Sequence, residues 1–137
     1  MAYWLVKSEP ETWSWNDHVK KGVEPWNGVR NFQAAANLKA MKKGDRAFFY
    51  HSGESREIVG IVEVVKTYYP DPSDETGRFG MVDFRARQPL KKPVTLAAIK
   101  AEPRLAHLAL VRQSRLSVMP IDDQAWARIC RMGGIEP

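Results

Sequence analysis

Residues 46–68 read RAFFYHSGESREIVGIVEVVKTY, the pattern of two β-strands joined by a turn. The runs Arg46–His51 and Glu57–Tyr68 are rich in β-branched and aromatic residues, and the hydrophilic SGESR between them is typical of a hairpin turn. Gly60 lies inside the second run, and a glycine within a strand marks a β-bulge or the close approach of another group. The segment therefore predicts a curved hairpin.

Three further segments carry strand signals. YWLVK at 3–7 and RLSVMPI at 115–121 are rich in strand-forming residues, and MVDFRARQ at 81–88 alternates apolar with polar positions. This alternation places Arg85 and Arg87 on the outer face of their strand. Because the strands do not alternate regularly with crossover helices, a parallel βαβ sheet is disfavoured.

Helix caps and stops occur between these strands. Two predicted helices run from Ser14 through Val19 with a stop at Gly22, and from Phe32 to about Lys43 with Asn31 as cap and Gly44 as stop. Three more cover TLAAIKA after Pro93 and Thr95, roughly Arg104–Val111, and DQAWARICRMGG after Asp122. We therefore predict an α+β fold in one domain, residues 1–137: a compact, curved β-barrel of mixed or antiparallel strands with helices at its rim.

The 137-residue chain has the composition of one globular domain, with 44% hydrophobic and 27% charged residues. Its 21 Lys and Arg exceed its 16 Asp and Glu, and the resulting net charge of +5 fits a polyanionic partner but is also ordinary for solubility. A single cysteine, Cys130, excludes an internal disulfide. Without a signal-peptide pattern or an apolar run of about 20 residues, we expect a soluble, cytoplasmic protein with no membrane partner.

Residues typical of catalysis or metal binding are few. His18, His51 and His107 have no metal-ligand spacing, and Cys130 lies at helical spacing from Trp126, which favours a buried thiol over a nucleophile. No phosphate-binding or dinucleotide-binding glycine motif occurs, so we expect no metal, no cofactor and no catalytic activity. His51 ends a strand, where it is either a hydrogen-bonded structural histidine or a ligand-binding group.

Tryptophan is frequent, and three of the five copies, Trp13, Trp15 and Trp26, lie within or beside predicted turns, where burial is harder. Trp26 begins the stretch WNGVRNFQA at 26–34, in which Arg30 and an asparagine follow a turn signal. A tryptophan near a cation and an amide offers the stacking face, edge hydrogen bonds and phosphate contact that a nucleobase needs. Loop tryptophans also plug the ends of barrels, and the residues alone leave both interpretations open.

Five motifs occur in the order that marks the EVE domain: YWLVKSEP, WNGVRNFQA, MKKGDRAFFYHSG, IVGIVEV and RLSVMPI. From Tyr3 to about Trp126 the chain resembles a stand-alone bacterial EVE-domain protein, and it is similar to the thymocyte nuclear protein family. The resemblance implies a PUA-like fold, related to that of YTH domains. It also implies a module that reads a modified base in DNA or RNA, such as 5-methylcytosine or 5-hydroxymethylcytosine, by accepting a flipped base without turnover.

The resemblance further implies which residues form the base pocket. They are Lys7 and Ser8 at the end of the first strand, Trp26, Arg30 and Asn31 in the next loop, Tyr50, His51 and Ser52 at a strand exit, and Arg115 and Ser117 at the border. Phe32, Ala36 and Gly53 stand where relatives often have tyrosine, arginine and asparagine, so the rim lacks a hydroxyl and a cation.

Contacts to the nucleic-acid backbone are predicted at four basic residues: Lys42, Lys43, Arg85 and Arg87. We expect the protein to be a monomer. Two other functions stay open. One is a hydrolase of nucleotide-like substrates, as in the ASCH group of PUA-like proteins, with Lys7 and His51 in one pocket. The other is a sensor of a free nucleotide or another small flat ligand.

Overall fold

The computed structural model describes residues 1–137 as six β-strands, five α-helices and one 3-10 turn. The strands are β1 (Tyr3–Ser8), β2 (Val23–Pro25), β3 (Arg46–His51), β4 (Glu57–Pro70), β5 (Gly80–Thr95) and β6 (Val118–Ile121). The α-helices are α1 (Trp15–Lys21), α2 (Phe32–Ala40), α3 (Leu96–Ala101), α4 (Ala109–Arg112) and α5 (Asp123–Met132), and the 3-10 turn covers Pro103–Leu105. None of the helices is long and apolar enough to span a lipid bilayer.

All six strands form one sheet in the order β2-β5-β4-β3-β1-β6. Strand β1 pairs in parallel with β3, and every other pairing is antiparallel. The α+β class and the curved mixed sheet predicted from the sequence are confirmed. The hydrogen-bonded ladder does not close into a barrel, because the short edge strands β2 and β6 do not pair with each other.

The sheet curves where its two longest strands pair irregularly. Strands β4 and β5 span 14 and 16 residues, and their register shifts at several places, each of which adds local twist. Gly60 lies at one of these shifts, and a Cβ atom built on it would be only 2.5 Å from Cη2 of Trp15. The glycine therefore admits the indole of Trp15 against the sheet, and Trp15 is buried, contrary to the expectation for a tryptophan beside a turn.

Helix starts follow the predicted caps. Ser14 and Asp17 form a capping box at α1, and the side chains of Asn31, Thr95 and Asp122 each accept a backbone N–H three residues further on. A short polar side chain at this position satisfies a backbone donor that the helix leaves unpaired. The starts of these helices are therefore local features of the sequence.

Some element boundaries differ from the prediction. Helix α2 ends at Ala40 and not at Lys43, because Met41 leaves helical backbone with φ −68° and ψ 144°. The predicted helix Arg104–Val111 is split into the 3-10 turn and the start of α4. Only residues 118–121 of RLSVMPI form a strand, and the three-residue strand β2 was not predicted because it is too short to show an alternating pattern.

Aromatic rings fill the core beneath α5. Trp126 stacks on Phe48 of β3 with ring centroids 3.9 Å apart, and on Tyr3 of β1 at 4.3 Å. Cys130, one turn further along α5, is fully buried, and burial raises the pKa of its thiol to about 11. Such a thiol is a poor nucleophile, and its position in the core agrees with the helical spacing seen in the sequence.

Candidate functional site

A concave cavity of about 630 Å³ opens between the end of β1 and the end of β2. Its wall is formed by residues 7–9, 12, 13, 24–30 and 117. Because β2 and β6 are the two edges of the sheet, the cavity lies in the gap that the unclosed ladder leaves. Its volume falls within the range of small-ligand sites.

Trp26 lies at the floor of this cavity. Its backbone N–H donates to the carbonyl oxygen of Val82 at 2.8 Å, and its ring packs edge-on against Phe49 and Phe84 with centroids 5.6 and 5.5 Å away. Only 8% of Trp26 is exposed. Trp26 is thus a core residue that also lines the cavity.

Trp13 forms a second aromatic wall and is held by a buried histidine. Its Nε1–H donates to Nδ1 of His18 at 3.0 Å, and Nε2 of His18 lies 2.8 Å from the carbonyl oxygen of Phe84. Because Nδ1 accepts from Trp13 and a carbonyl oxygen can only accept, Nε2 carries the single ring proton and the imidazole is neutral. Burial lowers the pKa of His18, which favours the same neutral state.

Asp71 anchors the loop that carries Asn27 and Arg30. Its carboxylate accepts hydrogen bonds from the N–H of Gly28 at 2.8 Å and from Nη1 of Arg30 at 3.1 Å. The N–H and the hydroxyl of Ser73 donate to the other carboxylate oxygen at 2.8 and 2.6 Å. Burial by itself raises the pKa of Asp71, but these donors outweigh it and hold the pKa at about 2. An ionised carboxylate therefore pins the loop at neutral pH.

Some polar groups of the cavity already form hydrogen bonds or ion pairs within the protein, and others do not. Nζ of Lys7 donates to the carbonyl oxygen of Ser114 at 2.9 Å, and burial lowers the pKa of Lys7. The carboxylate of Glu24 pairs with Lys21, whereas the carboxylate of Glu9 makes no hydrogen bond or ion pair. The cavity presents a cation, carboxylate acceptors and an amide around an aromatic surface, which together suit the edge and face of a base.

Half of the predicted pocket residues lie in this cavity: Lys7, Ser8, Trp26, Arg30 and Ser117. The other half do not line it: Asn31, Tyr50, His51, Ser52 and Arg115. Asn31 is engaged as the cap of α2, where its Oδ1 accepts the N–H of Ala34 at 2.9 Å. Tyr50 lies beside Lys7 in the sheet but is only 3% exposed.

His51 is engaged as a hydrogen-bond acceptor. Its Nε2 accepts the backbone N–H of Trp15 at 3.0 Å and so ties the end of β3 to the first residue of α1. Burial lowers the pKa of His51, which favours the neutral ring that this bond requires. Of the two roles that the sequence left open for His51, this contact favours the structural one.

Several residues of the wall were absent from the predicted pocket: Glu9, Thr12, Trp13, Glu24, Pro25, Asn27, Gly28 and Val29. Two sequence signals could have found most of them. The segment SEPETW directly follows the predicted first strand, whose last residues were already assigned to the pocket. Glu24 and Pro25 directly precede Trp26.

The four predicted backbone contacts lie outside the cavity. Lys42 and Lys43 occupy the turn that leads into β3 and lie near the start of β1, whereas the cavity is at the end of β1. Arg85 and Arg87 are exposed on β5, as the alternation predicted, and Arg87 pairs with Glu63 at 2.9 Å. Their role as backbone contacts stays a prediction.

The sequence matches the family model of the EVE domain over residues 2–132. Because this match covers almost the whole chain, the protein belongs to the EVE domain family. The resemblance drawn from the five sequence motifs is confirmed.

Similar proteins share the fold. An NMR structure of a protein from Rhodopseudomonas palustris is 57% identical, with a TM-score of 0.93 over 98% of this chain and 94% of its own. Human thymocyte nuclear protein 1 is 30% identical over 99% of this chain and 76% of the human protein. A crystal structure of the human protein in complex with DNA containing 5-methylcytosine is 31% identical, with a TM-score of 0.91 over the whole of both chains. The two chains therefore share one fold over their whole aligned length.

Proposed function

We propose that this protein binds a modified base of DNA in the cavity between Trp13 and Trp26, with the base turned out of the duplex and without chemical turnover. The observation that carries the proposal is the cavity of about 630 Å³, with tryptophan at its floor and wall and polar groups around it. The human relative that was crystallised with 5-methylcytosine DNA supports the choice of ligand, since the two proteins share the fold over their whole aligned length.

The concave shape of the site supports a base that is turned out of the duplex. A base inside a duplex presents only its groove edges, so a cavity can enclose it only after it leaves the stack. Leaving the stack costs on the order of a few kcal/mol. Stacking on an aromatic side chain returns about 1–3 kcal/mol per base, so the two tryptophans can offset this cost.

The polar groups of the cavity complement a cytosine. The amino group of cytosine donates hydrogen bonds, and its ring nitrogen and carbonyl oxygen accept them. The free carboxylate of Glu9 can accept from the amino group, and Lys7 and the amide of Asn27 can donate to the acceptors. A methyl group on the base adds apolar surface, for which Pro25 and Val29 supply apolar wall.

The engagement of Ser8 and His51 supports binding over catalysis. Nucleophilic catalysis needs a nucleophile within hydrogen-bond reach of a base, which a third group orients. The hydroxyl of Ser8 donates instead to the carbonyl oxygen of Trp13, and His51 accepts the backbone N–H of Trp15. Both groups are engaged in holding the fold.

The test is a tryptophan-fluorescence titration with short duplexes that differ at one central base: cytosine, 5-methylcytosine or 5-hydroxymethylcytosine. We expect at least one modified duplex to bind several-fold more tightly than the unmodified duplex. Equal affinities for all three would contradict the proposal.

Chromatography of the same mixtures after long incubation separates the alternative functions. Unchanged DNA and unchanged free nucleoside agree with a binding module. A new product that is lost in His51→Gln would establish a hydrolase. A free modified nucleoside that binds as tightly as the duplex would favour a sensor of small ligands.

A further inference from the structure

A second cleft of about 310 Å³ lies beside the first and is built almost entirely from polar residues. Its lining is Asn31, Gln33, Arg112, Gln113, Ser114, Arg115 and Leu116. The only apolar member, Leu116, is 4% exposed, and no carboxylate is present. The cleft therefore carries two positive charges with no acidic side chain in its lining.

Both arginines of the cleft are available to a ligand. Arg115 is exposed and makes no hydrogen bond or ion pair, and Arg112 is exposed with only its Nε engaged, at 3.3 Å from the carbonyl oxygen of Ala106. Arg30 and Arg87 differ from them, since each is paired with a carboxylate. An unpaired pair of guanidinium groups in one cleft is suited to phosphate, which their planar forks bind in a bidentate manner.

The second cleft shares a wall with the base cavity. Lys7 lines the cavity, and its Nζ donates to the carbonyl oxygen of Ser114, which lines the cleft. Arg30 and Asn31 are consecutive residues, one in each lining. A nucleic-acid strand with one base in the cavity must pass its sugar-phosphate backbone over the rim, and the cleft adjoins that rim at this shared wall.

We propose that Arg112 and Arg115, with the amides of Gln33 and Gln113, bind the backbone phosphates of the strand whose base occupies the cavity. This inference rests on the proposed function. The inference places the main electrostatic contact with the nucleic acid in the cleft. The sequence had predicted that contact at four basic residues that lie outside both linings: Lys42, Lys43, Arg85 and Arg87. The inference also gives Arg115 a phosphate contact in place of the base-pocket border expected from the sequence.

The experiment measures the affinity of the duplex with the tightest-binding base at several salt concentrations. Arg112→Gln/Arg115→Gln should reduce the slope of log affinity against log salt by about 0.7–0.9 for each phosphate contact that is lost. Lys42→Gln/Lys43→Gln removes the same charge from exposed residues outside both linings and should leave the slope unchanged. Far-UV circular dichroism of both variants confirms that they are folded.

Two results would overturn the phosphate cleft: an unchanged slope in the arginine variant, or an equal reduction in the lysine variant. Binding of 5-methyl-2′-deoxycytidine, which has no phosphate, distinguishes this failure from failure of the proposed function. We expect the arginine variant to bind that nucleoside as the parent does. A parent protein that binds all duplexes equally would overturn the proposed base selectivity, while the slope would still decide the role of the cleft.

Discussion

Gly60 has no side chain, and this affects the position of a cavity wall that it does not itself contact. Its missing Cβ leaves space for the ring of Trp15, whose backbone N–H is held by His51. These contacts fix the start of α1 against β3 and β4. Helix α1 carries His18, and His18 holds the cavity wall at Trp13. A position outside the cavity therefore determines where one of its walls lies.

Substituting Gly60 should reveal this packing as a loss of stability. We expect Gly60→Ala to lower the free energy of unfolding by about 1–3 kcal/mol, the usual cost of adding atoms to a filled core. Urea denaturation followed by circular dichroism measures the change. In a Trp15→Phe background the same substitution should cost less, because phenylalanine lacks the Cη2 and Cζ2 atoms nearest the added methyl group. Equal costs in the two backgrounds would contradict the close contact.

Trp13 is the better residue for testing stacking, because it is partly exposed whereas Trp26 is buried. We expect Trp13→Ala to weaken binding of the modified duplex by about 1–3 kcal/mol, the range for losing one base–aromatic contact. Trp126→Phe is the control, since it keeps a ring in the remote stack with Phe48 and should not change affinity. A folded Trp13→Ala variant that binds like the parent would show that Trp13 does not touch the base.

Among the elements, helix α1 carries His18, which makes the folding stability depend on pH. The folded pKa of His18 lies below the ordinary value of 6.5, because the neutral ring is buried. As pH falls below about 6.5, the unfolded chain takes up a proton that the folded chain does not, so folding stability present at higher pH is lost on acidification. The link between His18 and Trp13 makes the wall of the cavity part of this pH response.

We expect His18→Gln to flatten the pH dependence of the free energy of unfolding below about pH 6.5, where the unfolded chain takes up the proton before the folded chain does. Glutamine can accept from Trp13 and donate to the Phe84 carbonyl, so the fold should be retained. Denaturation across this pH range measures both profiles. Burial shifts the pKa of His51 in the same direction, and the difference between parent and variant isolates His18. Parallel profiles would show that His18 does not contribute.

Elements could be predicted from the sequence better than the contacts between them. The caps at Ser14 and Asn31 are local, because each involves residues only three positions apart. The burial of Trp15 depends on Gly60, and the engagement of His51 depends on Trp15, so neither could be inferred from local pattern. The pattern around Tyr50 correctly predicted a strand, but it does not show what covers the side chain.

For the whole molecule, the sequence predicted a curved mixed sheet but not the gap in it. Closure depends on whether β2 and β6 meet, and strands of three and four residues carry too little pattern to decide this. The gap is where the cavity lies, so the unpredicted part of the fold is also the part on which the proposed function rests. The five predicted pocket residues that line the cavity come from segments that flank this gap.

The cavity joins segments that are far apart in the sequence, and this has a consequence for synthesis. Strand β1 pairs with β6, and the N–H of Lys7 donates to the carbonyl oxygen of Ser117 at 2.9 Å. A ribosome releases β1 before all the intervening elements and β6 only after them, so the nascent chain exposes one unpaired edge of β1 while residues 9–117 are synthesised. An unpaired edge is a template for association with other chains. The cavity is therefore complete only after Ser117 has been synthesised, and a chain terminated before that residue lacks both the wall at Ser117 and the strand that protects β1.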